Sequence, residues 1–420
     1  MISEKEISKH LKGDRVIWII VLFMALISIA AVYSSSSSLA FRENKSTISF
    51  LFKQMKFVSF GLMALYCCYK LPLKLYRVTA YFGLILAIFL LIITLIKGAK
   101  INEAGRWLNI MGFMFQPAEI AKVAVIVYLA KILEIKKLDT FNEFVKYIIV
   151  PIGIAVTLVL YGSISTGLLI SAVTFLILIV NGVKWSHIFK SGGIVLVGIS
   201  FIILLNLSFN LFPRIDTAVS RIKHFTTTSE KSENLTDTEK RALLDKTFQA
   251  DMAKVAISSV GVTGKGPGKS TQRYLLPHPY SDFIYAIIIE EWGFLGGLFV
   301  LMLYIIFFTR CMAIAKSCST TFTFTLVMGI AILITAQAML HICVNVGLIP
   351  VTGHTLPLIS LGGTSLIIIS GSFGIILSVS RTLAEKNIEE DLDETTKIIE
   401  EDNIEEKETN IVKEQQILEV

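Results

Sequence analysis

Residues 261–297 read GVTGKGPGKSTQRYLLPHPYSDFIYAIIIEEWGFLGG. The stretch begins as a glycine-rich basic turn, passes a polar segment centred on Asp282, and enters an apolar run that carries Glu290 and Glu291 side by side. A charged side chain at mid-membrane costs roughly 2.5 to 3.5 kcal/mol on insertion scales. Acids kept inside a span are therefore candidates for function, and the stretch reads as the active-site segment of a membrane enzyme.

The rest of the chain agrees with a membrane setting. It is 54% hydrophobic and only 17% charged, with a mean hydropathy of +0.69, whereas soluble domains carry about 25% charged residues. Apolar segments of about 20 residues, the length that crosses a bilayer, fall at 16–34, 48–69, 78–97, 116–134, 146–162, 166–183, 191–212, 283–308, 320–342 and 361–380. They predict an all-α polytopic membrane protein of about ten transmembrane helices. A large extracytoplasmic loop, 213–282, precedes the eighth span. The second span carries Lys53 and Lys56, and the fifth contains Pro151, which a helix tolerates only with local repair of its hydrogen bonds.

Orientation follows from Lys and Arg in the short connections. One side collects Lys70, Lys74 and Arg77, then Lys131, Lys136, Lys137 and Lys146, then Lys184 and Lys190, and finally Arg310, Lys316, Arg381 and Lys386. Both termini are assigned to that side, taken as cytoplasmic. Residues 1–15 then form a cytoplasmic N-terminus, 16–384 the transmembrane domain, and 385–420 an acidic, disordered cytoplasmic tail. Ser38-Leu39-Ala40 has the form of a signal-peptide cleavage site, but the preceding apolar run exceeds a usual h-region, so α-helical anchoring is the better reading. The five cysteines read as small apolar residues with no zinc spacing, and the net charge of +6 is spread over loops and flanks, which gives nucleic-acid binding no support.

Within the long loop, Thr236-Asp237-Thr238-Glu239 has the form of a capping box and opens a helix over about 237–259. It lies on the outer membrane surface or packs against the spans; periodicity alone leaves both open. Residues 264–270, GKGPGKS, do not complete a P-loop, because Thr263 stands where the first glycine belongs and no strand precedes it. Its glycines with Lys265 and Lys269 fit either a phosphate cradle or a plain turn. Glu119 and Lys122 form an i, i+3 pair that either serves a substrate or simply neutralises itself. Arg106, on the same side, offers a planar donor suited to phosphate. The stretch Pro350–Ser365 is apolar yet broken by Pro357, Gly362 and Gly363, as irregular backbone lining a cavity would be. In it, His354 is either a base or structural. Asp282 is either a helix N-cap or a partly buried general base.

Four motifs in register, Arg106-Trp107, Gln116-Pro117-Ala118-Glu119 with Lys122, Leu276-Pro277 through Ser281-Asp282-Phe283 to Glu290-Glu291-Trp292-Gly293, and Pro350–Ser365, resemble the SEDS family (shape, elongation, division and sporulation; FtsW/RodA). Its division branch is the nearer. Ala118 and Leu361-Gly362-Gly363-Thr364 depart from the family's usual residues, which weakens any role for the hydroxyl or aromatic groups lost there. The resemblance implies a peptidoglycan glycosyltransferase that polymerises lipid II outside the cytoplasmic membrane at the division septum. It would work with a class B penicillin-binding transpeptidase and other divisome proteins. Asp282 is then the general base. Arg106, Glu119, Lys122, Lys265, Lys269, Gln272, Ser360, Thr364 and Ser365 are substrate-binding candidates, while Glu290, Glu291, Pro357, Gly362 and Gly363 hold the site. A divalent cation, Mg or Mn, is a candidate on the pyrophosphate; no protein ligand set is identified. A lipid II flippase, an elongation-type polymerase and a non-enzymatic division scaffold are the rival readings.

Overall fold

The computed structural model describes residues 12–37, 46–101, 104–110, 113–193, 237–276, 278–386 and 388. Its helices follow the apolar segments, because inside a bilayer every backbone N–H and C=O must be paired within its own segment. They are α1 (Arg15–Ser35), α2 (Thr47–Lys70), α3 (Leu73–Lys97), α4 (Pro117–Ile135), α5 (Phe141–Gly162), α6 (Ile164–Val180), α7 (Asp237–Ser258), α8 (Ile284–Lys316), α9 (Thr321–Asn345) and α10 (Thr364–Lys386). Among the described residues, α1, α2, α3, α5, α8, α9 and α10 are long and apolar enough to cross a membrane. Helix α4 carries Glu119, Lys122, Lys131 and Glu134, and α6 is a shorter apolar helix. The seventh expected span, 191–212, lies almost wholly outside the described residues, as do Ser38–Ala40, Thr236 and the acidic tail beyond 388.

Pro151 is accommodated by a π turn, Val145–Ile149, just before it, where the Val150 N–H reaches back to the Val145 carbonyl. The wider turn makes room at the point where proline removes a donor. The connection from α3 to α4, expected as a loop, is an antiparallel sheet of β1 (Ala99–Ile101), β2 (Ala104–Ile110) and β3 (Phe113–Phe115) in the order β1-β2-β3. Leu108 is buried and Asn109 exposed, the two-residue alternation of a half-buried strand. Among the described residues, this sheet is the one addition to the all-α architecture.

Burial grades across the bundle. The spanning stretches of α9 and α10 are 72% buried, whereas those of α2, α3 and α5 are 28% buried. Phe60 and Met63 on α2 and Phe82, Ile85 and Phe89 on α3 are exposed, as lipid-facing side chains should be. Close backbone approach builds the inner contacts: a Cβ on Gly374 of α10 would stand 2.2 Å from the Leu65 carbonyl oxygen of α2, and one on Gly329 of α9 would stand 2.6 Å from Ile126 of α4. Helix α7 packs its C-terminal half, through Ala253 and Ala256, against Phe283, Ala286 and Ile287. Of its two expected roles, packing against the spans is the one this half fulfils.

The contacts of Ser365 with Glu119, Ser360 with Ser281, and α7 with Phe283 and Ile287 put the start of α4, where the sheet ends, α7, the segment 259–283 and the segment 346–363 on one face. The opposite face is tied by Arg310 Nε on Asp14 (3.1 Å) and Arg77 on Glu134 (2.8 Å). Helices α1 and α8 run antiparallel, with polar contacts near the ends of α1, Asp14 with Arg310 and Ser34 with Glu291, and the Phe23 and Phe299 rings edge to face between them. At a rise of about 1.5 Å per residue, the two polar contacts lie roughly 30 Å apart, the thickness of a bilayer core. Glu290 and Glu291 therefore sit at one end of the stretch of α8 that pairs with α1 rather than midway along it. The first turns of α8 project beyond it.

Candidate functional site

Asp282 stands just before α8. The N-cap of the helix is Phe283, which makes no side-chain hydrogen bond there, and Asp282 precedes it. It is half-buried, and its backbone is fixed from several directions. Asn345, at the end of α9 and fully buried, donates from Nδ2 to the Asp282 carbonyl (3.1 Å) and accepts the Ala286 N–H on Oδ1 (3.0 Å). Ser360 Oγ donates to the Ser281 carbonyl (2.7 Å), and the Leu361 N–H donates to the Tyr280 carbonyl (3.0 Å). The segment 346–363 thus runs alongside 280–282. A Cβ on Gly353, whose φ is +72°, would lie 3.7 Å from Asp282 Oδ2.

That segment is itself pinned from below by a buried polar chain. Ser365 Oγ donates to Glu119 Oε2 (2.9 Å), Glu119 pairs with Lys122 (2.9 Å), Lys122 Nζ donates to Gln337 Oε1 (2.7 Å), and Gln337 Nε2 donates to the Thr355 carbonyl (3.0 Å). Lys122 is 2% exposed and Glu119 6%. The pair is mutually neutralised and enclosed, linking α4, α9 and α10. His341 contributes a further tie, its Nδ1 lying 2.8 Å from the His354 carbonyl. Tyr304 Oη holds the Pro357 carbonyl (2.5 Å).

The acids of α8 gather the glycine-rich segment. Glu290, wholly buried, accepts from Lys265 Nζ (2.6 Å), Ser270 Oγ, the Thr271 N–H (3.0 Å), Thr271 Oγ1 (2.8 Å) and the Gln272 N–H (3.3 Å). Glu291 accepts from Ser34 Oγ and faces Arg273 at 4.0 Å, and Arg273 Nη1 donates to the Ser34 carbonyl (3.1 Å). Arg273 also donates to Tyr274 Oη (3.0 Å), which draws that phenol below its ordinary pKa. Lys265 is thereby bound to the protein, while Lys269 is exposed.

The site residues expected from the sequence fall into three groups. Asp282 lies beside Gly353 of the 346–363 segment, with Ser360 on the neighbouring Ser281 carbonyl; Glu119 meets both Lys122 and Ser365; Lys265 and Gln272 meet Glu290. Gly363, at φ +54°, turns the chain into α10 beside Gly362, and Thr364 Oγ1 is buried without a hydrogen-bond partner. Arg106 lies on β2, and its side chain is outside the described residues. Gln337, His341 and Asn345 were not singled out by the sequence reading. Spaced four apart, they form a polar stripe on one face of the apolar α9, the same signal that flagged the two glutamates on α8. Among the described residues, no three His, Cys, Asp or Glu side chains converge on a metal-sized site.

Comparison with known proteins covers almost the whole chain. A family model joining FtsW, RodA and SpoVE, described as "Cell cycle protein", matches residues 14–385. Stage V sporulation protein E of Bacillus subtilis is 30% identical over 381 residues, 89% of this chain and 98% of that protein. A protein of Trichlorobacter lovleyi named "Probable peptidoglycan glycosyltransferase FtsW" is 30% identical over 379 residues, 88% of this chain and 93% of the relative. Among solved structures, a chain from a peptidoglycan synthase complex that coordinates polymerization and crosslinking superposes with a TM-score of 0.65 at 24% identity, over 88% of this chain and 98% of that one. The Thermus thermophilus rod shape determining protein RodA gives 0.62 at 24% identity, over 88% and 97%.

Proposed function

The chain belongs to the FtsW, RodA and SpoVE family of cell cycle proteins, and from that premise we propose that it is a peptidoglycan glycosyltransferase that polymerises lipid II at the outer face of the cytoplasmic membrane, with Asp282 as general base. The observation that carries the reading is a half-buried carboxylate where two irregular segments meet, with the backbone of 280–282 held by Asn345, Ser360 and Leu361. The names of relatives such as the Trichlorobacter protein support the activity.

In this mechanism an acceptor sugar hydroxyl attacks the anomeric carbon of a donor sugar, and a lipid pyrophosphate leaves. Asp282 takes the hydroxyl proton, a contribution of typically 10²- to 10⁴-fold in rate. The leaving pyrophosphate needs charge stabilisation more than a proton. Lys269 is exposed and available for that role, Arg106 is a second candidate, and Lys265 would share its charge with Glu290. Lys122 is enclosed against Glu119 and would act on the site from behind. Gln272, Ser360, Thr364 and Ser365 then shape the cavity rather than supply charge. A divalent cation, Mg or Mn, belongs to the proposal as an ion held by substrate oxygens and one or two carboxylates; no step is assigned to it.

A class B penicillin-binding transpeptidase is the proposed partner, and the complex whose chain shares this fold supports it. Assignment to division, with other divisome proteins at the septum, is likewise proposed, since relatives at equal identity carry sporulation and division names. Purified protein with its transpeptidase and labelled lipid II should make glycan strands, and Asp282→Ala should abolish them with the fold intact. Normal polymerisation by that variant removes Asp282 as the base. The buried Ser365-Glu119-Lys122-Gln337 chain is the feature that would favour a flippase. That rival predicts transbilayer movement of lipid II in liposomes that survives Asp282→Ala. A tagged copy found along the side wall instead of the septum would overturn the division role.

A further inference from the structure

Helix α8 is broken at Gly293, whose φ of +72° and ψ of −171° lie far from helical values. A break of this kind normally leaves backbone groups unpaired on both sides, which is costly at a membrane boundary. Here the segment Gly261–Gly266 is inserted into the gap. The Lys265 and Gly266 N–H groups donate to the Glu290 carbonyl (3.0 Å) and the Glu291 carbonyl (2.9 Å). The Phe294 and Leu295 N–H groups donate to the Gly261 and Val262 carbonyls, each at 3.3 Å. In an unbroken helix, Phe294 and Leu295 would have donated to Glu290 and Glu291. The inserted segment therefore takes both halves of each missing bond.

The fit requires two glycines. A Cβ on Gly264, at φ +73°, would fall 2.3 Å from the Gly293 nitrogen, and one on Gly293 would fall 2.2 Å from the Val262 carbonyl oxygen. The Glu290 carboxylate then clamps the following residues, Lys265 through Gln272, to the same turn of helix.

We propose that Gly261–Gly266 is a splint across the break in α8, and that Gly264, Gly293 and Glu290 are positioning residues that set where Asp282 stands. The inference rests on the reading of Asp282 as the base. The limb Ile284–Trp292 carries Asp282 at one end and hinges at Gly293 at the other. Asn345 fixes the outer end through the Asp282 carbonyl and the Ala286 N–H, and the splint fixes the inner end. Asp282 lies about 16 Å from the hinge at about 1.5 Å per residue, so a tilt of only about 4° displaces it by about 1 Å. A misplacement of that size costs about 10²-fold in rate at a reacting centre.

Hydrogen–deuterium exchange on the protein in nanodiscs tests the splint directly. The amides of Lys265 and Gly266 lie in a loop, and only docking on the α8 carbonyls would slow them, by about 100-fold relative to open loop amides. Gly264→Ala should remove that protection and lower kcat for lipid II polymerisation about 10- to 100-fold, with KM changed by less than about twofold. Glu290→Gln, which keeps the shape of the clamp but weakens its hold on Lys265, should do the same to a smaller degree. Fast exchange of Lys265 and Gly266 in the wild-type protein overturns the proposal. So does a Gly264→Ala protein that loses protection yet keeps wild-type kcat. The outcome of Asp282→Ala is independent of both, so failure of the base assignment and failure of the splint are told apart.

Discussion

Lys122→Met tests whether the buried polar chain beneath the segment 346–363 holds the fold. The substitution keeps length and apolar volume but removes the ammonium from a site that is 2% exposed. Glu119 then retains only its bond from Ser365 Oγ at 2.9 Å, and Gln337 Oε1 loses the donor that stood 2.7 Å away. Breaking one partner of a buried ion pair costs about 3 to 5 kcal/mol in soluble interiors. A membrane-inserted unfolded state finds partners of its own, which lowers such values, so about 2 to 4 kcal/mol is the expected loss here. Removing both charges, with Glu119→Gln alongside Lys122→Met, leaves no uncompensated ion and should cost only about 1 kcal/mol. The assay is SDS-driven unfolding of the purified protein for the wild type, the two single variants and the double, read as a thermodynamic cycle with a coupling of about 2 kcal/mol. A single variant that loses no more than about 0.5 kcal/mol, or a double as unstable as the worse single, refutes the reasoning.

Lys269→Ala should leave stability within about 0.5 kcal/mol, as surface changes do, yet weaken turnover of lipid II. Lys265→Ala should instead destabilise the loop, seen as faster proteolysis of 261–276, because Glu290 loses its cation. Asn345→Asp keeps an acceptor for the Ala286 N–H but loses the donor to the Asp282 carbonyl. Its kcat should fall about tenfold with KM unchanged, and an equal rise in KM would show that it acts on binding instead. Gly374→Ala drives a methyl into the Leu65 carbonyl, 2.2 Å away, and should destabilise the α2–α10 contact by about 1 to 3 kcal/mol in the same unfolding assay.

Much of the architecture is carried by local sequence. Hydropathy places nine of the ten expected spans on helices among the described residues, because a bilayer forces each spanning segment to satisfy its own backbone. The short sheet of residues 99–115 was not anticipated, since three strands of three to seven residues give too little periodicity to read. Gln337 and Asn345 carry no formal charge, so an apolar span hides them where it exposes an acid.

By itself, then, the sequence determined that the chain is a polytopic helical membrane protein, which segments form its apolar helices among the described residues, and that Asp282 lies just before α8. It did so because spanning length and residue type are local properties. Only the tertiary structure decided what those residues touch. Ser365 reaches Glu119 across 246 positions and Arg273 reaches Ser34 across 239, contacts that no periodicity encodes. Likewise, a run from Ile284 to Lys316 that reads as one continuous apolar helix is broken at Gly293, because the return of Gly261–Gly266 supplies the hydrogen bonds the break requires.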